Sequence, residues 1–308
     1  MKNEPRCRLL AALGLVVGTL AFGKPIEPRM LLLDGAVTGA EIVVVGERGT
    51  ILRSPDQARS WESAATPAAT APTLTGVSFA PDGQRGWAVG HDALILATTD
   101  GGRTWAKQYQ GENLQDSFLD VLALDAERAI AVGAYGLFAS TTDGGKTWAS
   151  RKISEDDYHL NRISRGPVGT LYLAGERGTL LKSEDAGTRW SKIAAPYEGS
   201  FYGIVALDRR TLVAYGLRGR VYRSANDGAA WTPVVASQPT LFATALLTRG
   251  NLLVVAGQAR TLLLSRDYGQ TLAPLASAPT SAVAELLELA DGRLLALGEA
   301  GATVLPKP

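Results

Sequence analysis

The sequence has 308 residues, with 31 lysine and arginine side chains against 30 aspartate and glutamate and a formal net charge of +1. So even a balance excludes a nucleic-acid partner held by phosphate neutralisation, which needs a basic face. One cysteine and two histidines exclude a disulfide framework and leave no histidine–cysteine set with metal-ligand spacing.

In chain order, the first segment reads as an export signal. Lys2, Arg6 and Arg8 form a basic start, residues 9–22 carry no charge and are mostly apolar, and Ala21-Phe22-Gly23 puts small residues at a cleavage site. A membrane-spanning helix needs about twenty apolar residues, so a removed signal at 1–23 is expected rather than an anchor. Cys7 precedes the apolar run, which argues against a lipid-modified cysteine and leaves the expected mature chain without one. Cleavage after Gly23 removes Lys2, Arg6, Arg8 and Glu4, leaving 28 basic against 29 acidic side chains in residues 24–308.

From there a repeat governs everything. T-T-D-G-G-R-T-W at residues 98–105 returns as T-T-D-G-G-K-T-W at 141–148, with weaker copies at 54–61, 183–190, 224–231 and 265–272. A period near forty with four short apolar runs per unit marks a propeller-like β array. Each copy reads as a tight turn: the acid (Asp56, Asp100, Asp143, Asp185, Asp227 and Asp267) accepts from turn amides, and glycine supplies positive φ. The tryptophan that follows (Trp61, Trp105, Trp148, Trp190 and Trp231) starts the next strand and buries its indole between repeats. Catalytic or metal-binding aspartates would require one site to be made six times, so these residues are read as structural.

Gly46, Gly90, Gly133, Gly175, Gly216, Gly257 and Gly298 each end an apolar run, and the first six stand fifteen residues before the position of the tryptophan. Seven glycines mean seven units. The second shows the strands best: a at 74–80, b at 85–89, c at 93–98 and d at 104–109. Strands b and c are apolar at almost every position, as expected of sheets covered on both faces. The fold expected is therefore all-β: one seven-bladed propeller domain over residues 24–308, with four-stranded antiparallel blades. Residues 283–290, V-A-E-L-L-E-L-A, have helical spacing, but the repeat makes them strand a of the seventh unit. That unit stops before a strand d, so residues 24–28 are expected along its outer edge; Pro25 and Pro28 make this pairing poor, and a three-stranded blade is the alternative.

In a propeller the b-to-c turns share one face with the d-to-a connections, away from the aspartate turns. Those tips carry Arg48, His91, Tyr135, Arg177, Arg218 and Arg220, and nearby connections carry Tyr158-His159 and Tyr197. A charged residue on one tip is ordinarily solvated; several arginines and tyrosines around one axis make a candidate partner-binding face.

The aspartate turn resembles the Asp-box, or bacterial neuraminidase repeat, of sialidases, xyloglucan hydrolases and sortilin-type receptors, where it is architectural. The fuller phrases, G-W-A-V-G at 86–90 leading into T-T-D-G-G-R-T-W and A-V-G-A-Y-G-L-F-A-S-T-T-D-G-G-K-T-W at 131–148, resemble the photosystem II assembly and stability factor family of chloroplasts and cyanobacteria with its bacterial relatives. That resemblance implies a non-enzymatic seven-bladed propeller, and a monomer is expected. It would be exported to the periplasm or an equivalent lumen, at the periphery of a membrane, where it binds membrane-protein subunits during assembly. With His91 and His159 the only histidines and no helix following the glycine-rich turns, no cofactor, metal or small-molecule substrate is expected. In an organism without photosystem II, another envelope or transport complex would be the client. The sequence departs from the pattern at Ala58 for a turn glycine, at Asn226-Asp227 and at Leu272 for the aromatic. A sialidase-type or xyloglucanase-type hydrolase is the alternative, with Arg48, Arg177, Arg218, Tyr135 and Glu176 imitating a sialidase site. The Arg-Ile-Pro signature of sialidases is absent, and those enzymes have six blades.

Overall fold

The computed structural model describes residues 26–39, 41–67, 71–236 and 238–308. The export segment expected at 1–23 lies outside them. Seven antiparallel sheets follow one another along the chain, six of four strands and the last of three, each in simple a-b-c-d order. The innermost strands a are Leu32–Thr38, Leu74–Phe79, Phe118–Ala123, Leu160–Arg165, Phe201–Ala206, Phe242–Leu247 and Val283–Glu288. Each packs on the strand a of the next blade, and the last packs on the first, closing a seven-bladed propeller. The repeat therefore overrides the helical spacing of 283–290: neighbouring blades bury Val283, Glu285 and Leu286 as a strand. In the second blade the strands are Leu74–Phe79, Gly86–Gly90, Leu94–Thr98 and Ala106–Gln110, within two residues of the bounds read from the sequence.

Every strand b is buried almost throughout, because each is sandwiched between two sheets. The apolar core is accordingly divided into seven clusters, each shared by two adjacent blades; Trp105, for example, meets Val43, Val45 and Ile51 of blade 1. The seven landmark glycines have a steric cause. Strand a carries a register shift at its second residue, seen between Leu32 and Asp34 and repeated in every blade, which brings its backbone close to the end of strand b. A Cβ on Gly46 would lie 2.1 Å from the Leu31 carbonyl oxygen, and one on Gly133 2.1 Å from that of Ser117.

Blade 7 consists of Val283–Glu288, Leu294–Gly298 and Gly301–Leu305. Among the described residues no segment supplies a fourth strand, so the blade is three-stranded there, the alternative read from the sequence; residues 24 and 25 of the expected edge segment lie outside the described residues. Among the described residues, Pro28 bonds to it, its carbonyl accepting from Ala302 N–H at 3.1 Å, while Ile26 N–H goes to the Trp61 carbonyl at 3.2 Å. Proline lacks the N–H that would return the bond to the edge. The ring closes instead by face packing: Leu32, Ile42, Val44, Leu52 and Trp61 of blade 1 meet Leu289, Leu295 and Leu297 of blade 7. Among the described residues, no helix is long and apolar enough to cross a membrane.

Candidate partner-binding face

The b-to-c tips of blades 1 to 6 are two-residue turns closed by a backbone hydrogen bond, such as Thr50 N–H to Glu47 O at 3.1 Å and Thr179 N–H to Glu176 O at 2.9 Å. Their central residues both have positive φ: Arg48 55° with Gly49 66°, Tyr135 51° with Gly136 72°, Arg177 48° with Gly178 74°, and Arg218 58° with Gly219 69°. This is the pattern of a type I′ turn, whose first central place favours asparagine, aspartate or glycine. Blade 2 obeys that rule with Asp92. Arginine and tyrosine at the same place cost about 1 kcal/mol each in left-handed backbone and gain no turn hydrogen bond, so turn chemistry does not account for them.

The structure gathers part of the expected set. Tyr135, 67% exposed, meets the His159 ring edge-on at 4.8 Å, and His159 lies 3.6 Å from Glu176. Arg177 stacks over Tyr158 at 5.5 Å, and Arg220 over Tyr197 at 5.7 Å. Arg48, Arg177 and Arg218 are exposed and make no ion pair among the described residues. Blades 3 to 5 thus carry a continuous arginine and aromatic surface, whereas Arg48 and His91 stand on the tips of blades 1 and 2, apart from it. Two shallow grooves flank the surface: about 320 Å³ lined by Tyr135, Phe138, Arg151 and Lys152, and about 300 Å³ lined by Arg218, Arg220, Tyr222 and Pro239. Exposed Val235 on a d-to-a connection lines the second groove and escaped sequence reasoning, since a lone valine in a loop carries no signal.

On the opposite face the aspartates are tied into their own turns. Asp100 accepts from Thr98 Oγ1 at 2.8 Å, Thr104 N–H at 2.9 Å and Thr104 Oγ1 at 2.7 Å; Asp143, Asp56 and Asp267 repeat this. Asp185 takes Arg189 N–H and Nε instead. The Thr147 amide bond, then the Thr147 hydroxyl, holds the Asp143 carboxyl down at about 2; the Thr271 hydroxyl and amide do the same for Asp267, and the Arg189 side chain and amide for Asp185. The assignment of Asp227 is corrected. Asn226 fills the acid's place, accepting from Ser224 Oγ at 2.9 Å and Ala230 N–H at 2.8 Å. Asp227 takes the left-handed place that Gly101 and Gly144 hold in the strongest repeats and reaches the neighbouring blade, 2.7 Å from Lys182 Nζ and 3.1 Å from Tyr172 Oη. Trp61 and Trp105 are buried, while Trp148, Trp190 and Trp231 are partly exposed; the five pack against the preceding blade.

A second polar constellation, not foreseen from the sequence, lies on the axis. The third residue of each strand a, just past the register shift, is Asp34, Gly76, Asp120, Arg162, Gly203, Thr244 or Glu285. Arg162 pairs with Glu285 at 2.6 Å, and Glu285 also accepts from Thr244 Oγ1 at 2.6 Å and Leu286 N–H at 2.8 Å. Asp120 accepts from Val121 and Ile163 N–H at 2.8 and 2.9 Å, and Asp34 from Val77 N–H at 2.7 Å. The glycines make room: Gly203 for the Tyr215 hydroxyl, which hydrogen-bonds Arg162, and Gly76 for Asp120. Burial pushes Asp120 up to about 6 against the pull of Arg162 and its two amides. Among the described residues no cluster of three histidine, cysteine, aspartate or glutamate side chains is placed to hold a metal ion.

The model of one protein family, described as photosynthesis system II assembly factor YCF48, matches residues 25–130 and 108–251. The photosystem II stability/assembly factor HCF136 of Arabidopsis thaliana chloroplasts is 32% identical over 88 residues, which is 26% of this chain and only 21% of that protein. Among solved structures, YCF48 bound to D1 peptide superposes with a TM-score of 0.77 at 22% identity, over 92% of this chain and 95% of that one. The glycoside hydrolase family 74 xyloglucanase of Xanthomonas campestris gives 0.64 at 18% identity, over 89% and 52%. At such identities these two structures show a shared fold. The family model, spanning most of the chain, shows more: the chain belongs to the photosynthesis system II assembly factor YCF48 family.

Proposed function

We propose that this chain is an exported, non-enzymatic assembly factor that holds an extended segment of a membrane-protein subunit against the b-to-c face of blades 3 to 5. One observation carries the reading: Tyr135, Arg177 and Arg218 occupy left-handed turn positions that their side chains do not favour, and all three face outward. Planar guanidinium groups pair with carboxylates and stack on aromatic rings, so such a surface suits a peptide bearing both. The D1 peptide bound to a YCF48 of known structure supports this class of partner.

Binding of a D1-derived peptide, followed by fluorescence anisotropy, tests the proposal. Reversing Arg177→Glu and Arg218→Glu together should weaken binding at least tenfold, the cost of about 1.4 kcal/mol of lost contact, while the unfolding midpoint stays within a degree. The control is Lys146→Glu with Arg266→Glu on the aspartate-turn face, both exposed. Equal loss from both pairs would reduce the effect to net charge. Export is tested separately by intact mass: the protein recovered from the cell envelope should begin at Lys24. Turnover of xyloglucan or a fluorogenic sialoside above blank would overturn the non-enzymatic part.

A further inference from the structure

We propose that the joint between blades 1 and 7 is a pH-sensitive seam, held shut by a proton on Asp34 and loosened when that proton leaves. Six of the seven inter-blade seams are crossed by the chain itself. Among the described residues the seventh shares no strand; apolar faces hold it, with the Pro28–Ala302 hydrogen bond and one from Ala290 N–H to Gln57 Oε1 at 2.8 Å. Asp34 and Glu285 occupy equivalent places on the two strands a that meet there, each only 8% exposed. One seam therefore has two buried carboxyl groups at equivalent places on its paired strands, where, among the described residues, no shared strand opposes their separation.

The two are not equally provided for. Glu285 has Arg162, Thr244 and its own strand's Leu286 amide. Asp34 has the Val77 amide on one oxygen, and its second oxygen takes no hydrogen bond among the described residues. The other charged groups around it are few. Strand a of blade 7 contributes Glu285, and across the axis stand Asp120 of blade 3 and Arg162 of blade 4. Strand a of blade 2 and strand b of blade 7 contain no charged residue, and Glu41 at the far end of its own sheet is engaged by Arg53 and Arg103. Burial, then Glu285, then Asp120 push the Asp34 carboxyl well above the carboxylate range, against the opposing pull of Arg162 and the Val77 amide.

Opening the seam gives Asp34 water and an ordinary carboxylate pKa near 4. The closed state then binds one proton more than the open state, from that pH up to the raised value. Across this interval the opening constant rises by up to tenfold per pH unit, and above it the rise stops.

Amide hydrogen exchange on the full chain between pH 5.5 and 8.5, corrected for intrinsic exchange, reads this constant locally. Strands Leu32–Thr38 and Val283–Glu288 should open progressively more as pH rises, by up to tenfold per unit. Phe201–Ala206 and Phe242–Leu247, whose ring positions are Gly203 and Thr244, should show little of this slope. Asp34→Asn keeps an acceptor for Val77 and should flatten the seam's slope. Glu285→Gln removes the facing like charge and should reduce the slope in a variant that leaves Asp34 in place. Equal slopes in the two strand pairs, or an unchanged seam slope in both variants, would overturn the proposal.

Discussion

Acidification to about pH 5 should stabilise this protein, and Asp120→Asn isolates why. Asp120 is 9% exposed, and burial lifts its carboxyl from 3.8 to about 6, roughly two pH units. The folded state thus binds a proton between pH 6 and 4 that the unfolded chain does not. Because the folded value is the raised one, stability from this group is complete below about 4 and is lost as pH rises through 6. At 1.36 kcal/mol per unit the difference is about 3 kcal/mol. Asparagine cannot ionise, but it offers one oxygen where the carboxyl has two, so either the Val121 or the Ile163 amide loses its acceptor, at a cost of about 1 kcal/mol. Urea unfolding at pH 4.5, 6 and 7.5 should therefore show the curves crossing. The variant is less stable than the parent at pH 4.5, at least as stable at 7.5, and its change in stability over that range is smaller by about 2 kcal/mol. Parallel slopes, or a parent protein that loses stability from pH 7.5 to 5, would refute the reasoning.

Below pH 4 the sign reverses, because Asp143, Asp185 and Asp267 are held at about 2 by turn hydrogen bonds that protonation breaks; a second unfolding limb should appear by circular dichroism between pH 4 and 2. Asp100→Ala removes the acceptor of three turn hydrogen bonds and should cost about 1 to 2 kcal/mol in urea unfolding while peptide binding stays unchanged. Ala186 sits at φ 56° where the stronger repeats have glycine, so Ala186→Gly should gain up to about 1 kcal/mol, seen as a melting point higher by about 2 °C.

The blades were legible because each rests on local chemistry repeated six or seven times. Gly90 or Trp105 alone would be ambiguous, whereas a glycine fifteen residues before each tryptophan position fixes strand order and blade number. Asp227 was misread because two acceptors stand side by side in S-A-N-D-G, and only the turn's backbone decides which side chain faces the amides. The axial ring went unseen for a different reason. Its members are single polar residues in separate apolar runs, and what assembles them is the register shift in strand a together with closure of the sheets around an axis. The candidate face was legible as a set of tips, but not as the pairs Tyr135–His159, Arg177–Tyr158 and Arg220–Tyr197, since these join tips to connections far apart in the chain.

The face-packed closure also bears on how the chain folds. Blades 2 to 6 can each dock on a predecessor already made, so their contacts are local and accumulate as synthesis proceeds. Blade 1 presents Leu32, Ile42 and Val44 to a partner near the opposite end of the chain, the hydrogen bond from Ala290 to Gln57 spanning 233 residues. Until that partner emerges, an apolar sheet face stands open to solvent, a condition that invites aggregation and slows the last folding step. Partner segments able to cover that face early would act on this protein as folding helpers before it acts on anything itself.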